Sequence, residues 1–347
     1  MTSSSNSKHR VLLLGFGNVA QGLCEILHKK RLELLDQNKF DFDIVGVVTR
    51  SRGTMHHAEG IPTSLLMDIA KSDTPFTHYK EDWDAETAIQ NSNATVVIEL
   101  THTNIESGEP ALSHSRAALE SGKHLICGNK GPAAVAYNKI HALANNHGKL
   151  FLNEATVMSG TPVFSLIGNT LAGNKVLRIR GILNGATNFI LSEMEKDVGL
   201  AEAIALAETH GYLEADHTAD IEGYDALAKV LILSNALLGA DISAQDVERV
   251  GIGQINEGEV RAARSEGKRW KLVASMAWDG RTFKASVKPE KLDVSDPLAQ
   301  VMGTTNSITI TTDILGDVTI SGPGAGRLAT GYAILSDLLT INAGGTS

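Results

Sequence analysis

"RVLLLGFGNVA" (Arg10 to Ala20) is the stretch that most restricts how this chain can fold. Its apolar run, closed by a glycine, reads as a short strand buried on both faces. The G-x-G-x-x-A spacing of Gly15, Gly17 and Ala20 then opens a helix. The first glycine permits a tight turn, the second lets a pyrophosphate approach the backbone, and the small Ala20 keeps the helix against the sheet. Free amides and the positive end of the helix dipole suit phosphates. Such a strand, turn and helix predicts a doubly wound α/β domain that binds a dinucleotide through Gly15, Phe16, Gly17, Asn18 and Val19.

The pattern that follows agrees. "NVAQGLCEILHKKRLELLD" brings Val19, Leu23, Ile26, Leu27 and Leu34 near one helical face. "DFDIVGVVTR", "ATVVIELTHT" and "GKHLICGNK" read as further strands, and "SGEPALSHSRAALES" as a helix that stops near Gly122. Strands alternating with helices predict a parallel sheet covered on both faces. The texture changes near residue 150. "GLAEAIALAETHG" is a helix with Gly211 as its stop, and "GYDALAKVLILSNALLG" is another. Short β-like runs extend from "RWKLVASMAWDG" to "DVTISGPG", and "GAGRLATGYAILSDLLTI" is a glycine loop and a helix. The expected division is a Rossmann-type domain over 1–152, a second α+β domain over 153–320, and a C-terminal helix over 321–347 that returns to the first. A length of 347 residues suits two domains.

The formal charge of −9 argues against nucleic acid as a partner, because phosphate binding needs a basic face. The apolar run at the N-terminus is too short for a signal-peptide core or a membrane span, and the polar residues before it read as a disordered tail. Cys24 and Cys127 stand far apart, which excludes a disulfide framework or a multi-cysteine zinc site and suits a reducing, cytoplasmic setting. His56, His57 and His102 lack metal-ligand spacing and read as surface or packing residues.

Two features carry chemistry. The second strand ends in "VVTRSRG", where an acidic residue would bind the ribose hydroxyls of NAD. Arg50 and Ser51 there suit a 2′-phosphate instead, which favours NADP and leaves NAD possible. The second feature is "AETHGYLEADHTADIEGYDALAKV", with Glu214, Asp216, Asp220, Glu222 and Asp225 ahead of Lys229. Asp225 and Lys229 share one helical face, acid first. In isolation this is commonly a surface ion pair and the acid cluster a solvated loop; the spacing does not fit an EF-hand. Beside a nucleotide fold, a lysine can protonate the alkoxide formed when hydride reaches a carbonyl, and a carboxylate one turn away can hold it. The remaining acids could grip a substrate ammonium group.

At these residues the chain resembles the homoserine dehydrogenase family over nearly its full length. The most specific element is A-x-x-x-G-Y-x-E-x-D…D-I-x-G-x-D-x-x-x-K, from Ala207 to Lys229, supported by "GFGNVA", "GEPALSH", "GNKGP", "NEATVMSGTP", "GILNGATNFIL" and "GPGAG". The resemblance implies interconversion of L-aspartate 4-semialdehyde and L-homoserine with NAD(P)H. It implies Lys229 as general acid/base and Asp225 as its partner and a substrate contact. Glu214 would bind the substrate amino group, with Tyr212, Asp220, Asn184 and Gly185 nearby. Lys130 would lie by the nicotinamide and the substrate carbonyl; Thr101 and Thr103 would line the nicotinamide side, and Gly326 would close on the cofactor. The "EATVMSGT" loop would hold a sodium ion through Glu154 and the carbonyls of Val157, Ser159 and Thr161.

The resemblance further implies a homodimer made by the second domain, and no regulatory extension. His217, Ala186 and Ala329 depart from the family pattern, where proline, threonine and proline are usual. Ala186 and His217 leave open a related reductase acting on a different small amino- or hydroxy-aldehyde. A non-catalytic NADP-binding sensor would instead predict loss of Lys130, Glu214, Asp225 and Lys229, all of which are present.

Overall fold

The computed structural model describes residues 8–213 and 216–345. Most of the expected N-terminal tail, and the expected substrate residue Glu214, lie outside them. Two sets of residues each pack on themselves: those up to Pro162 together with those from Gly326 onward, and Val163–Ala325.

In the first unit the strands are β1 (His9–Leu14), β2 (Phe42–Thr49), β3 (Gly53–His56), β4 (Lys80–Glu81), β5 (Val96–Glu99), β6 (His124–Cys127) and β7 (Phe151–Leu152). They are linked through α1 (Asn18–Asn38), α2 (Thr63–Ile69), α3 (Ala85–Asn91), α4 (Ala111–Glu120) and α5 (Lys130–Asn146). The sheet order is β4-β3-β2-β1-β5-β6-β7. Strands β2, β1, β5, β6 and β7 run parallel. Strands β3 and β4 add an antiparallel edge, because only three residues, Arg50 to Arg52, join β2 to β3 and leave no room for a crossover. Chain direction across the sheet reverses between β1 and β5, so the crevice for a ligand opens at their carboxyl ends, beside Gly15 and Leu100. All four apolar residues of β1 are buried, as a strand covered on both faces requires.

The second unit contains β8 (Val176–Ile182), α6 (Gly185–Met194), α7 (Leu200–Thr209), α8 (Thr218–Ile221), α9 (Tyr224–Leu237), β9 (Val247–Arg249), α10 (Glu257–Ser265), β10 (Lys268–Asp279), β11 (Thr282–Asp293), β12 (Thr305–Thr312) and β13 (Gly316–Pro323). Its sheet order is β13-β12-β8-β10-β11-β9, antiparallel except for β9 beside β11. Helix α9 is buried all round from Ala226 to Asn235 and packs on β10 and β11. Gly223 ends the turn before it at φ 78°, a conformation that favours glycine. The terminal helix α11 (Arg327–Asn342) belongs to the first unit, where it packs along α1. Gly22 and Gly331 permit that approach: a Cβ on either would come within 2.2 to 2.6 Å of the other helix's backbone. The 153–161 loop sits with the first unit, although a boundary at residue 152 was expected, because Asp337 of α11 accepts the Glu154 N–H at 3.1 Å.

Candidate active site

The glycine turn after β1 is shaped by the neighbouring strand. Gly15 has φ 94°, and a Cβ there would lie 2.5 Å from Leu100 O. A Cβ on Gly17 would meet nothing within 4 Å, so open space stands where a phosphate would approach. Gly17 is also the N-cap of α1, and no side chain caps the helix amides behind it. Asn18 is exposed and Val19 half-buried, whereas Phe16 turns inward against Phe76 at 6.5 Å.

At the end of β2 the two arginines separate. Arg50 and Ser51 are exposed. Arg52 is buried, its guanidinium over Phe76 at 4.7 Å and bonded to Thr74 O at 3.0 Å and Ile69 O at 2.9 Å.

The loops after β5 and β6 are tied together by residues that no motif flagged for that purpose. Glu99 is completely buried; it accepts from the Thr101 N–H at 2.7 Å, from the Thr101 hydroxyl, and from His114 Nδ1 at 2.7 Å. Asn129 donates to the carbonyls of Thr101 and His102, both at 3.0 Å, and accepts from Gly131 N, capping α5. Lys130, the first residue of α5, and Thr103 are half-buried. Gly326, at φ 128°, is the N-cap of α11.

In the loop proposed for a cation, Glu154, Val157, Ser159 and Thr161 are all buried, and Ser159 holds φ 54°. Asp337 is buried next to Glu154, and burial, then the Glu154 charge, hold its carboxyl well above the usual carboxylate range. Among the described residues no group of three or more His, Cys, Asp or Glu is arranged for a metal. That leaves a site of one carboxylate and backbone carbonyls as the chemistry to test.

The acid stretch folds into a connected network in the second unit. Lys229 on α9 is buried, and its Nζ lies 2.9 Å from Asp225 Oδ2 and 2.5 Å from Leu183 O. Asn184, the N-cap of α6, donates from one Nδ2 to Asp225 Oδ2 at 3.0 Å and Asp220 Oδ1 at 2.6 Å. Its Oδ1 accepts from Thr187 N at 2.9 Å, which fixes the amide's orientation. Gly185 follows with no room for a side chain, its Cβ position 2.6 Å from Thr304 O. Tyr212 is exposed and stacks edge-on to Phe189 at 5.0 Å. His217 Nδ1 lies 3.2 Å from Glu208 Oε1, and Ala186 is buried inside α6. The structure thus brings Asn184, Asp220, Asp225 and Lys229 together.

A dinucleotide cradle, and a lysine held by an acid and an asparagine, define a nicotinamide-nucleotide-dependent oxidoreductase. The family description "Homoserine dehydrogenase, NAD binding domain" matches residues 15–154, and "Homoserine dehydrogenase" matches residues 162–339. The chain is 38% identical over 345 residues to the NAD(+)-dependent homoserine dehydrogenase of Pseudomonas canavaninivorans, covering 98% of each. It is 35% identical to the homoserine dehydrogenase of Methanocaldococcus jannaschii, over 95% of this chain and 98% of that one. The solved structure of a hyperthermophilic archaeal homoserine dehydrogenase in complex with NADPH matches with a TM-score of 0.83 and 27% identity, over 97% of this chain and 98% of that one. The chain belongs to the homoserine dehydrogenase family, whose members are NAD(P)-dependent oxidoreductases of amino-acid biosynthesis.

Proposed function

We propose that the chain interconverts L-homoserine and L-aspartate 4-semialdehyde, with Lys229 as the group that gives and takes the proton. The observation that carries this reading is the buried Lys229, fastened to Asp225 and Leu183 O beside an asparagine that also holds Asp220. When bound, the reduced nicotinamide supplies a hydride to the carbonyl carbon. Lys229 Nζ gives a proton to the carbonyl oxygen as the C=O π bond opens, so the product is an alcohol; in reverse the same nitrogen takes that proton. Asp225 keeps the ammonium in place, and Asp220, with Glu214, binds the substrate ammonium group. Asn184, Gly185 and Tyr212 line the substrate, and Lys130 adds a second cation that stabilises developing negative charge on oxygen.

The residues fit the nucleotide. The open face of Gly17, with uncapped α1 amides behind it, suits a pyrophosphate, with Gly15, Phe16, Asn18 and Val19 forming the turn. Thr101 and Thr103 line the nicotinamide, and Gly326 closes over it. Exposed Arg50 and Ser51 support NADP over NAD. A sodium ion held by Glu154 and the carbonyls of Val157, Ser159 and Thr161 would offset the buried carboxylate of Glu154. Family resemblance further supports a homodimer of cytoplasmic enzyme. Among the described residues no helix is long and apolar enough to cross a membrane.

The test supplies NADPH with aspartate semialdehyde and then with a panel of other small aldehydes. Turnover on the semialdehyde far above the panel is expected, and Lys229→Ala should lower it by about 10² or more. Wild-type turnover from that variant would refute the role of Lys229.

A further inference from the structure

Asn306 takes no part in the chemistry above, yet it sits on the oxygen that holds Lys229. It is fully buried on β12, and its Nδ2 donates to Leu183 O at 2.9 Å. The same carbonyl accepts Lys229 Nζ at 2.5 Å. Two donors therefore share one acceptor, and their nitrogens are at most about 5.4 Å apart by those two distances. The other end of the amide, Oδ1, is buried with no hydrogen-bond partner. An orphaned buried acceptor costs stability, so packing alone does not account for an asparagine here.

The surroundings are fitted to it. A Cβ on Gly324 would come within 2.2 to 2.3 Å of the amide's carbon, nitrogen and oxygen, so a side chain there would push the amide from its place. A Cβ on Gly185 would lie 3.3 Å from Oδ1, which puts the amide against the same turn that carries Asn184. The charged groups that meet this cluster are Asp225 on α9, 2.9 Å from Lys229 Nζ and also bonded to Asn184, and Asp220 on α8, through Asn184. From the elements packed on α9, Lys271 of β10 is engaged with Asn188 and Val301, and Arg249 of β9 lies over Tyr224.

We propose that Asn306 is a positioning residue for proton transfer: its amide shares Leu183 O with Lys229, weakens that carbonyl's hold on the ammonium form, and so eases release of the proton. This rests on Lys229 being the acid/base. Each donor draws electron density from the shared oxygen, so removing one strengthens the bond to the other.

The experiment measures the pH profile of kcat for wild type, Asn306→Leu and Asn306→Val. Asn306→Leu removes the competing donor at similar volume, and the limb of the profile set by proton transfer should move up by about half a pH unit. Asn306→Val also removes the donor, with a side chain suited to a strand, so the limb should again move up by about half a pH unit. A merely structural role would lower kcat and leave the limb where it is in wild type, and that result overturns the proposal. Far-UV circular dichroism and NADPH binding confirm the fold; if Asn306→Leu does not fold, Asn306→Val carries the test. Failure of the underlying reading is separate: it would show as full turnover from Lys229→Ala, whereas an unmoved limb with an inactive Lys229→Ala overturns only the role of Asn306.

Discussion

Lys271 should make the stability of the second unit rise with pH above 8. Its side chain is fully buried on β10, with Nζ 2.5 Å from Val301 O and 2.9 Å from Asn188 Oδ1, both neutral acceptors. Burial, opposed by Glu195 and reinforced by Arg269, pushes its pKa down from 10.5 to about 8. That gap corresponds to about 3 kcal/mol. Below pH 8 the lysine is charged in both states and the folded state carries the whole penalty. Between pH 8 and 10.5 the folded protein has released the proton while the unfolded chain still binds it, so stability increases with pH. Above 10.5 the gain is complete. The assay is urea unfolding followed by the fluorescence of Trp270 and Trp278, which lie on the same strand, for wild type and Lys271→Met. Subtracting the two curves cancels every other titrating group. Wild type should gain about 3 kcal/mol on the variant between pH 7.5 and 10.5. The offset between the proteins at neutral pH is not the readout, because the variant also loses the lysine's hydrogen bonds to Asn188, Val301 and Met302. A flat or falling difference would refute the reasoning.

The remaining predictions concern the site and the other unit. Gly15→Ala forces a Cβ onto Leu100 O in a left-handed turn, and should weaken NADPH binding at least about tenfold in a fluorescence titration; an unchanged Kd would contradict the cradle. Asn184→Ala removes the donor shared by Asp220 and Asp225, and should cut kcat by about tenfold or more while NADPH binding stays as in wild type. His124 accepts from Leu150 N, and burial, with Lys149 and His9 adding, pushes its pKa down to about 4. The unfolded chain binds a proton that the folded one refuses, so stability should be lost as pH falls from 6.5 to 4, by at most about 3 kcal/mol. His124→Gln, which keeps an acceptor for Leu150, should flatten that loss in acid unfolding curves.

Much of the fold could be read from local pattern. The glycine turn, the buried β1 and the strong helices α1, α7 and α9 each agree with their own residues, and each stands where its spacing puts it. Strands β3 and β4 gave no comparable signal, since two to four residues are too few to show alternation. Around the site, the ion pair between Asp225 and Lys229 follows from a helical repeat. The partners that fix it do not. Leu183 O is a backbone atom, and Asn306 is one of five polar residues in "TTNSITI", separated from Lys229 by a long stretch of chain and brought to it only by pairing of β12 with β8. Arg52 shows the opposite failure. It has the same type as Arg50 and stands two residues away, but the turn between β2 and β3 sends it inward onto Phe76 and leaves Arg50 outside.

The two buried lysines of the second unit show what geometry adds to residue type. Lys271 touches only neutral acceptors, and no part of it is exposed. A substrate oxygen has no access to its nitrogen, so it cannot serve as a proton donor whatever its ease of deprotonation. Lys229 is fastened to a carboxylate that is itself one-fifth exposed, next to an asparagine holding a second carboxylate. Asp225 keeps the nitrogen in place, and the exposed part of its carboxylate is the side on which a small polar substrate would approach under the proposed reading. The proposed proton transfer would need both a partner that holds the nitrogen and a path by which it meets the reacting atom. Helical periodicity supplies the first from Asp225 alone, and the turn at Leu183 and Asn184, held by α6 and β12, fixes the nitrogen from the other side.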